Sequence, residues 1–597
     1  MSDAVLSTLL LLAVLTLPPV GAVVAACSRR RPDVAIAAAL TTSLLTLILE
    51  LGLLALTVPW RSGSDVASID LAWMGSLGPR LHFGWDGITA PLVLLTSLLT
   101  TLGCCYLWFS ADDALPGETG RRAPSAGLVA VLATTHSAAL LTFTARDLIV
   151  FFIAFEAVLA PMWVLIGRWG GDPDATDQQS QQVRRRRAAT TFVLYTALGS
   201  AIMLLGLLLL AGAVGSTGFE AVAAAGPRLP LSTQAIVALL LIIGLGVKVP
   251  MWPLHSWLPP AHTIAPTVGS VLLAGVLLKL GSYGLVRIAV GFVPEGVQAL
   301  AVGLAALGVT GILWGGLVCL VEPDLKRLIA FSSVAHMGFV VLGVAAGTPA
   351  AIQGALFVGI AHGLISSLLF WVVGMLKHRH LAATVRASAD LRALPAGLRD
   401  SHPRLGWTLA LGSAAGLGLP GLAGFWGEIL VLIGTWNSPR LAGIGSVLSV
   451  LAALGTVLAG AYLLRVLYLI WQGPSPTLVW SPPDASQPQD AAPQPQDASQ
   501  PQDTDPAAGV PVGAAVGPAA VASAPHPPGA AKASSTAAPP APSIHSDAEP
   551  DSAAQDLTGI EVGVVAPLVF FIVGFGVAPG TLLALTGPAV RALLGVG

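Results

Sequence analysis

The sequence predicts an all-α integral membrane fold of about fourteen transmembrane helices, with two inverted five-helix repeats that each contain one broken helix. Three observations carry that expectation. The chain of 597 residues is 54% hydrophobic and only 10% charged, with a mean hydropathy of +0.79, whereas soluble domains carry about 25% charged residues. Its apolar residues lie in stretches of roughly 20 to 30, the length a helix needs to cross a ~30 Å hydrocarbon core. Two of the stretches are interrupted midway by proline and glycine. A net charge of -2 points to no nucleic acid and no acidic substrate. The lipid bilayer is the partner that composition itself implies.

Taken in order, the spans are expected near 3–27, 33–59, 86–109, 125–144, 147–168, 188–213, 234–253, 264–289, 297–321, 328–346, 351–376, 406–435, 443–471 and 560–588. Val24-Ala25-Ala26-Cys27 loosely resembles a lipid-attachment box. However, Asp3 precedes the apolar run and Arg29-Arg30-Arg31 follow it, the reverse of a cleavable leader. It is read as a first transmembrane helix with its N-terminus outside. Inside loops then hold Arg29 to Arg31, Arg121-Arg122, Arg184 to Arg187, Lys326-Arg327, Lys377, Arg379, Arg386, Arg392 and Arg399. Outside loops hold only singles such as Arg61, Arg80, Arg146, Arg228 and Arg440. That asymmetry follows the positive-inside rule, and an even number of spans leaves both termini outside. Cys27, Cys104, Cys105 and Cys319 lack metal or redox spacing and read as small packing residues.

The chain divides into 1–472 with the first thirteen spans, 473–558, and 559–597 with the last span. Residues 473–558 are rich in Pro, Ala, Gln, Asp and Ser, with near-repeats such as SQPQDAAPQPQDASQPQD. Such a stretch buries too little apolar surface to offset its ordering entropy, so a disordered cytoplasmic tether is expected.

The seventh span contains Lys248-Val249-Pro250 and Trp252-Pro253; the twelfth contains Gly416, Gly418, Pro420, Gly421 and Gly424 ahead of Glu428. Proline lacks a backbone donor and crowds the preceding turn, so both helices should unwind there. Irregular backbone at membrane depth survives only inside protein or beside a wet cavity. The breaks lie five spans apart, which gives them opposite orientations. That pattern points to inverted repeats around ion sites, about 125–289 and 297–471.

Four ionisable residues stand inside spans: Glu156 halfway along the fifth, Lys248 beside the first break, Lys279 deep in the eighth, and Glu428 after the second break. Each costs about 2.5–3.5 kcal/mol to insert unless it is paired or hydrated. The plain alternatives are a static ion pair between helices, or a side chain reaching for the interface. Depth argues against the latter for Glu156 and Lys279. As a set they point to an ion path. His336 and His362 lie in apolar spans beside Ser332, Ser333, Ser366 and Ser367. An imidazole that accepts on one nitrogen and donates from the other suits a relay, although a lone histidine is equally a helix contact. His255 and His262 flank Pro259-Pro260, where ordinary loop contacts compete with lining the mouth of the path. His378-Arg379-His380 reads as a solvated face. No phosphate-binding, dinucleotide, haem or flavin pattern is present, so electron chemistry falls to partner chains.

With these charges placed, the chain resembles the antiporter-like membrane subunits of respiratory complex I, the bacterial proton-pumping NADH:quinone oxidoreductase, and among them the M type. The resemblance rests on FEAVLAPMWVLIGRWGG, GVKVPMWPLHSWLPPAHTIAPTVGSVLLAGVLLKLGSYGLVR, EPDLKRLIAFSSVAHMGF, AHGLISSLLFWVVGML and GLGLPGLAGFWGEILVL, across roughly 80 to 470. Glu428 is M-like, where the L, N and Mrp-type relatives have lysine. The resemblance implies that Glu156 and Lys248 form a modulating pair, that Lys279 with His336 and His362 links half-channels, and that Glu428 is the terminal exchange site. It implies L-, N-, K- and J-type membrane partners in a bacterial plasma membrane. It also places NADH, FMN, iron–sulfur clusters and quinone on partner subunits, with no cofactor on this chain. Two acids usual in the family are Pro260 and Ile264 here, and the 473–558 insertion is unusual. The competing readings are a cation/proton antiporter subunit, an antiporter-like subunit of a membrane-bound hydrogenase, or a scaffold that has lost its path. The retained Glu156, Lys248, Lys279 and Glu428 argue against the last.

Overall fold

The computed structural model describes residues 3–57, 65–75, 78–109, 125–171, 177–383, 397–472 and 556–596. Most of the 473–558 insertion therefore lies outside the described residues, as do the side chains of His378 to His380. Among the described residues, 13 helices are long and apolar enough to cross a bilayer: Asp3–Cys27, Pro32–Thr57, Thr89–Trp108, Ala126–Thr144, Leu148–Trp169, Gln178–Val214, Leu231–Lys248, Thr267–Val290, Ala301–Val321, Leu325–Ala346, Pro349–Lys377, Gly445–Trp471 and Gly559–Val577. The expected twelfth span is two helices, Pro403–Gly416 and Ala423–Trp436. Each half of 14 residues rises only about 21 Å, too short to cross alone. Gly418 at φ 77° and Gly421 at φ 90° turn the chain between the halves, a conformation that favours glycine.

The expected seventh span, 234–253, ends early. Leu231–Lys248 stops at Lys248, and a short helix Leu258–Ile264 precedes Thr267–Val290. Pro250 and Pro253 supply no donors, so the Val247 carbonyl takes the Trp257 indole N–H at 2.9 Å instead. A third interruption was not expected. The fifth span divides at Val158 into Leu148–Ala157 and Leu159–Trp169. Pro161 has no N–H for the Ala157 carbonyl and crowds it, which places the discontinuity beside Glu156. Thr267–Val290 contains wide π-helical turns at Leu273–Leu277 and Leu285–Val290, on either side of Leu278–Gly284. The expected last span, 560–588, is likewise two helices, Gly559–Val577 and Gly580–Leu594, divided at Ala578-Pro579.

The fold is not purely helical. An antiparallel hairpin, Ala67–Ala72 with Arg80–Trp85, joins the second and third spans. Arg80 donates to Asp70 at 2.7 Å across it, a hydrogen bond that holds the exposed Asp70 carboxyl below its ordinary range. The Arg146 amide donates to the His82 carbonyl at 2.8 Å and ties the hairpin to the fifth span. The last residues of the expected loop anchor its return. Asp556 accepts the Arg404 and Leu405 amides at the start of Pro403–Gly416, and Thr558 caps Gly559–Val577 with Glu561.

Pro349–Lys377 and Thr267–Val290 are the innermost helices, with 100% and 94% of their apolar windows buried. Their polar groups therefore face protein rather than lipid. Pro349–Ala383 packs on Leu325–Ala346, both half-helices, and Gly559–Val577 and Gly580–Leu594. With no hydrophobic drive between helices in lipid, small residues set the close approaches. Gly244 is one: a Cβ there would lie 2.6 Å from both the Gly199 carbonyl oxygen and the Met203 amide nitrogen. Both obstacles are backbone, so Gly244→Ala is expected to cost about 1–3 kcal/mol by overpacking. Gly212→Ala, which meets nothing within 4 Å, should be neutral. Thermal inactivation of the purified assembly compares the two.

Candidate functional site

The helix interruptions gather the ionisable residues. Lys279 lies between the two π-helical turns. Its Nζ donates to the Ala274 carbonyl at 2.6 Å and lies 2.7 Å from His362 Nδ1. The approach is close because Gly275 and Gly363 face each other: a Cβ on Gly363 would meet the Gly275 carbonyl at 3.2 Å and Lys279 Cε at 3.4 Å. The His362 and His336 rings follow, with centroids 5.6 Å apart.

His336, on Leu325–Ala346, meets the end of the first half of the broken helix. Its Nδ1 lies 2.7 Å from the Ser332 carbonyl and its Nε2 3.0 Å from the Gly416 carbonyl. Gly416 closes Pro403–Gly416, where the last carbonyls have no partner within the helix. Carbonyls only accept, so a ring nitrogen that carries a proton can donate to the one beside it, and Glu428 Oε1 lies 3.6 Å from Nε2. Glu428 Oε2 accepts from Thr456 at 3.0 Å, and Ser332 Oγ lies 2.8 Å from the Tyr462 hydroxyl. A cavity of about 20 Å³ is bounded by Ser332, His336, His362, Ser366 and Glu428, enough for roughly one water. Lys279, His362, His336 and Glu428 thus form one file with steps of hydrogen-bond or single-water length.

Glu156 and Lys248 stand apart from it. Lys248 is 2% exposed, its Nζ has no hydrogen-bond partner among the described residues, and it lies 4.4 Å from the Phe155 ring centroid. Glu156 is half-buried beside the Val158 discontinuity, within reach of the Ser200 hydroxyl, and among the described residues its Oε1 has no hydrogen-bond partner. Among the described residues no ion pair joins the two. The helix of Lys248 does reach that of Lys279, since a Cβ on Gly281 would lie 3.0 Å from Lys248 Cβ.

His262 is fully buried and stacks on Phe370 at 4.5 Å, with neither ring nitrogen hydrogen-bonded. His255 is nearly buried, with its ring edge-on to Phe331 at 6.4 Å. Lys326, expected in a solvated loop, is instead 6% exposed on the first turn of Leu325–Ala346 and donates to the Ala265 carbonyl at 2.5 Å. The Asp324 N-cap shows why, because it starts that helix before the basic pair. Thr456, Tyr462 and Ser200 were also unread; as single hydroxyls in apolar spans they carry no pattern.

The fold and site together define a class: a many-spanning helical membrane protein whose interrupted helices hold a buried file of lysine, histidine and carboxylate. Comparison with known proteins narrows it. Residues 145–454 match the model of the NADH:quinone oxidoreductase/Mrp antiporter transmembrane family. The chain 4 of a Synechococcus NAD(P)H-quinone oxidoreductase is 37% identical over 433 residues, covering 71% of this chain and 76% of that one. The NADH-quinone oxidoreductase subunit M of Rickettsia typhi is 36% identical over 394 residues, covering 66% and 73%. In solved respiratory complex I from Thermus thermophilus with bound NADH, a chain 26% identical superposes with a TM-score of 0.71, covering 98% of this chain and 100% of that one. The chain belongs to the NADH:quinone oxidoreductase/Mrp antiporter transmembrane family.

The Phe155 ring is the polarisable surface next to the otherwise unpaired Lys248. Cation–π contacts contribute about 0.5–2 kcal/mol. Phe155→Leu is therefore expected to lower ion translocation by the assembled protein about two- to thirtyfold without loss of assembly. Vesicle pumping assays normalised to subunit content check it.

Proposed function

We propose that this chain is the proton-translocating, antiporter-like M-type membrane subunit of an NADH:quinone oxidoreductase. The observation that carries the reading is the unbroken file Lys279–His362–His336–Glu428, set in a chain whose relatives are named subunit M or chain 4 of such oxidoreductases. In this reading Lys279 passes a proton to His362 Nδ1, a bridging water carries it to His336, and Glu428 is the exchange site at the end. Glu156 and Lys248 are the modulating pair. Their lack of a fixed ion pair supports a gate rather than a helix lock, because a contact already made leaves nothing to switch.

Electron transfer from NADH to quinone, with its FMN and iron–sulfur clusters, belongs in this reading to partner subunits. The membrane partners are L-, N-, K- and J-type subunits in a bacterial plasma membrane, and both termini lie outside. The interruptions after Lys248 and before Glu428 support two inverted halves, about 125–289 and 297–471.

The test is Glu156→Ala and Lys248→Ala in the assembled complex. Both are expected to lower NADH:quinone turnover and proton pumping severalfold with assembly retained. Pumping at the wild-type rate in either variant would sink the assigned roles.

A further inference from the structure

A second buried acid and imidazole lie away from this file. Glu50 on Pro32–Thr57, Ser97 on the third span and His136 on Ala126–Thr144 are 0%, 0% and 2% exposed. The Ser97 hydroxyl lies 2.6 Å from Glu50 Oε1 and 2.9 Å from His136 Nε2. Among the described residues Glu50 Oε2 has no hydrogen-bond partner, and neither does the Thr101 hydroxyl one turn beyond Ser97. The other titratable side chains on the first four helices are Asp3, Cys27, Asp33, Cys104, Cys105 and Tyr106, with no Lys or Arg. The imidazole is therefore the only cation these helices can offer the carboxylate.

We propose that Glu50, Ser97 and His136 form a second proton-binding site, separate from the Glu156–Glu428 groups. A hydroxyl between an acid and an imidazole allows two arrangements that hold the same single proton. In one, the Glu50 acid donates to Ser97 Oγ and the Ser97 hydroxyl donates to a neutral His136 Nε2. In the other, the acid proton has moved to Ser97 while the Ser97 proton has moved to His136, leaving a carboxylate and an imidazolium. No net charge appears in either, which apolar surroundings favour. Losing the proton leaves one uncompensated negative charge, so uptake and release are the events the site registers. Purely structural hydrogen bonding would be served by an amide at lower cost.

Position sets the site's access. Glu50, Ser97 and His136 each lie roughly 11–12 Å, at ~1.5 Å per residue, from the helix ends at Thr57, Thr89 and Thr144. At the Thr89 end lies a cavity of about 650 Å³ lined by Asp65, His82, Asp86, Arg146, Glu220 and Arg287. There Arg146 pairs with Asp65 at 2.6 Å, and Arg287 pairs with Asp86. On the opposite face of the Ser97 helix, Leu95 and Leu99 fill the contact with Gly363 and Gly275, beside Lys279. In this proposal the site exchanges protons on the side of the Asp86 cavity.

Infrared difference spectra of the purified, assembled complex, taken between acidic and alkaline buffer, test this. The expected result is a protonated-carboxyl C=O band that shifts in D2O, is lost in Glu50→Gln, moves in Ser97→Ala, changes its pH midpoint in His136→Gln, and survives in Glu156→Gln. That last variant keeps the outcome independent of the main path. If Glu50→Gln does not assemble, Ser97→Ala and His136→Gln decide alone. A spectrum unchanged in every variant that assembles, or no pH-dependent carboxyl band, would overturn the proposal.

Discussion

Lipid offers no hydrogen bonds, so every carbonyl released where a helix breaks must find a donor inside the protein. That constraint organises this molecule, because its donors at the breaks are the same groups that carry its chemistry. The Ala274 carbonyl, in a π-helical turn, takes the Lys279 ammonium; Gly416, closing a half-helix, takes His336; Ala265, closing the short helix after the first break, takes Lys326. Helix C-termini carry partial negative charge, so the end of the short helix Leu258–Ile264 favours the Lys326 cation. Other carbonyls near the breaks are answered by neutral donors: Val247 by the Trp257 indole and Gly576 by the Trp426 indole. The breaks and the charges are one device.

How much of this the sequence discloses depends on whether the signal is local. A proline or glycine cluster announces itself, so the interruptions near Pro250 and Pro420 were readable, as were the intramembrane charges Glu156, Lys248, Lys279 and Glu428. Pro161 was equally visible, yet its effect falls at Val158, upstream, because proline disturbs the turn before it. Lys326 was misread for a related reason: a basic pair near a span end looks like a loop until the Asp324 cap shows where the helix starts. The hairpin at Ala67–Ala72 and Arg80–Trp85 has strands of six residues each, too short for a hydropathy window of span length to register.

Contacts between distant spans were not readable at all. Glu50 is one acid in a leucine-rich helix. Its meaning depends on Ser97 and His136, on two other helices, and nothing in a single sequence says that those faces meet. The same holds for His336 and Gly416, which join residues 80 positions apart. Family resemblance supplied roles for the site residues, but not the facing glycines 275 and 363 that bring the lysine to the histidine.

The two parts of the charged set differ in a way that bears on how they act. From Lys279 to Glu428 the groups touch, or stand one water apart, so the file is prepared for transfer in a single geometry. Lys248 and Glu156 do not touch. At an effective dielectric near 20, opposite charges about 5 Å apart gain ~3 kcal/mol, and about half of that at ~10 Å. The difference is comparable to the whole cation–π contribution from Phe155, about 0.5–2 kcal/mol. Among the described residues Lys248 has no hydrogen bond to hold its charge, so a movement of Glu156 by a few ångströms at the Val158 discontinuity changes the cost of that charge by an amount comparable to what the Phe155 ring supplies. A fixed pair would be stable and unresponsive. The break beside Glu156 is what leaves this pair able to respond.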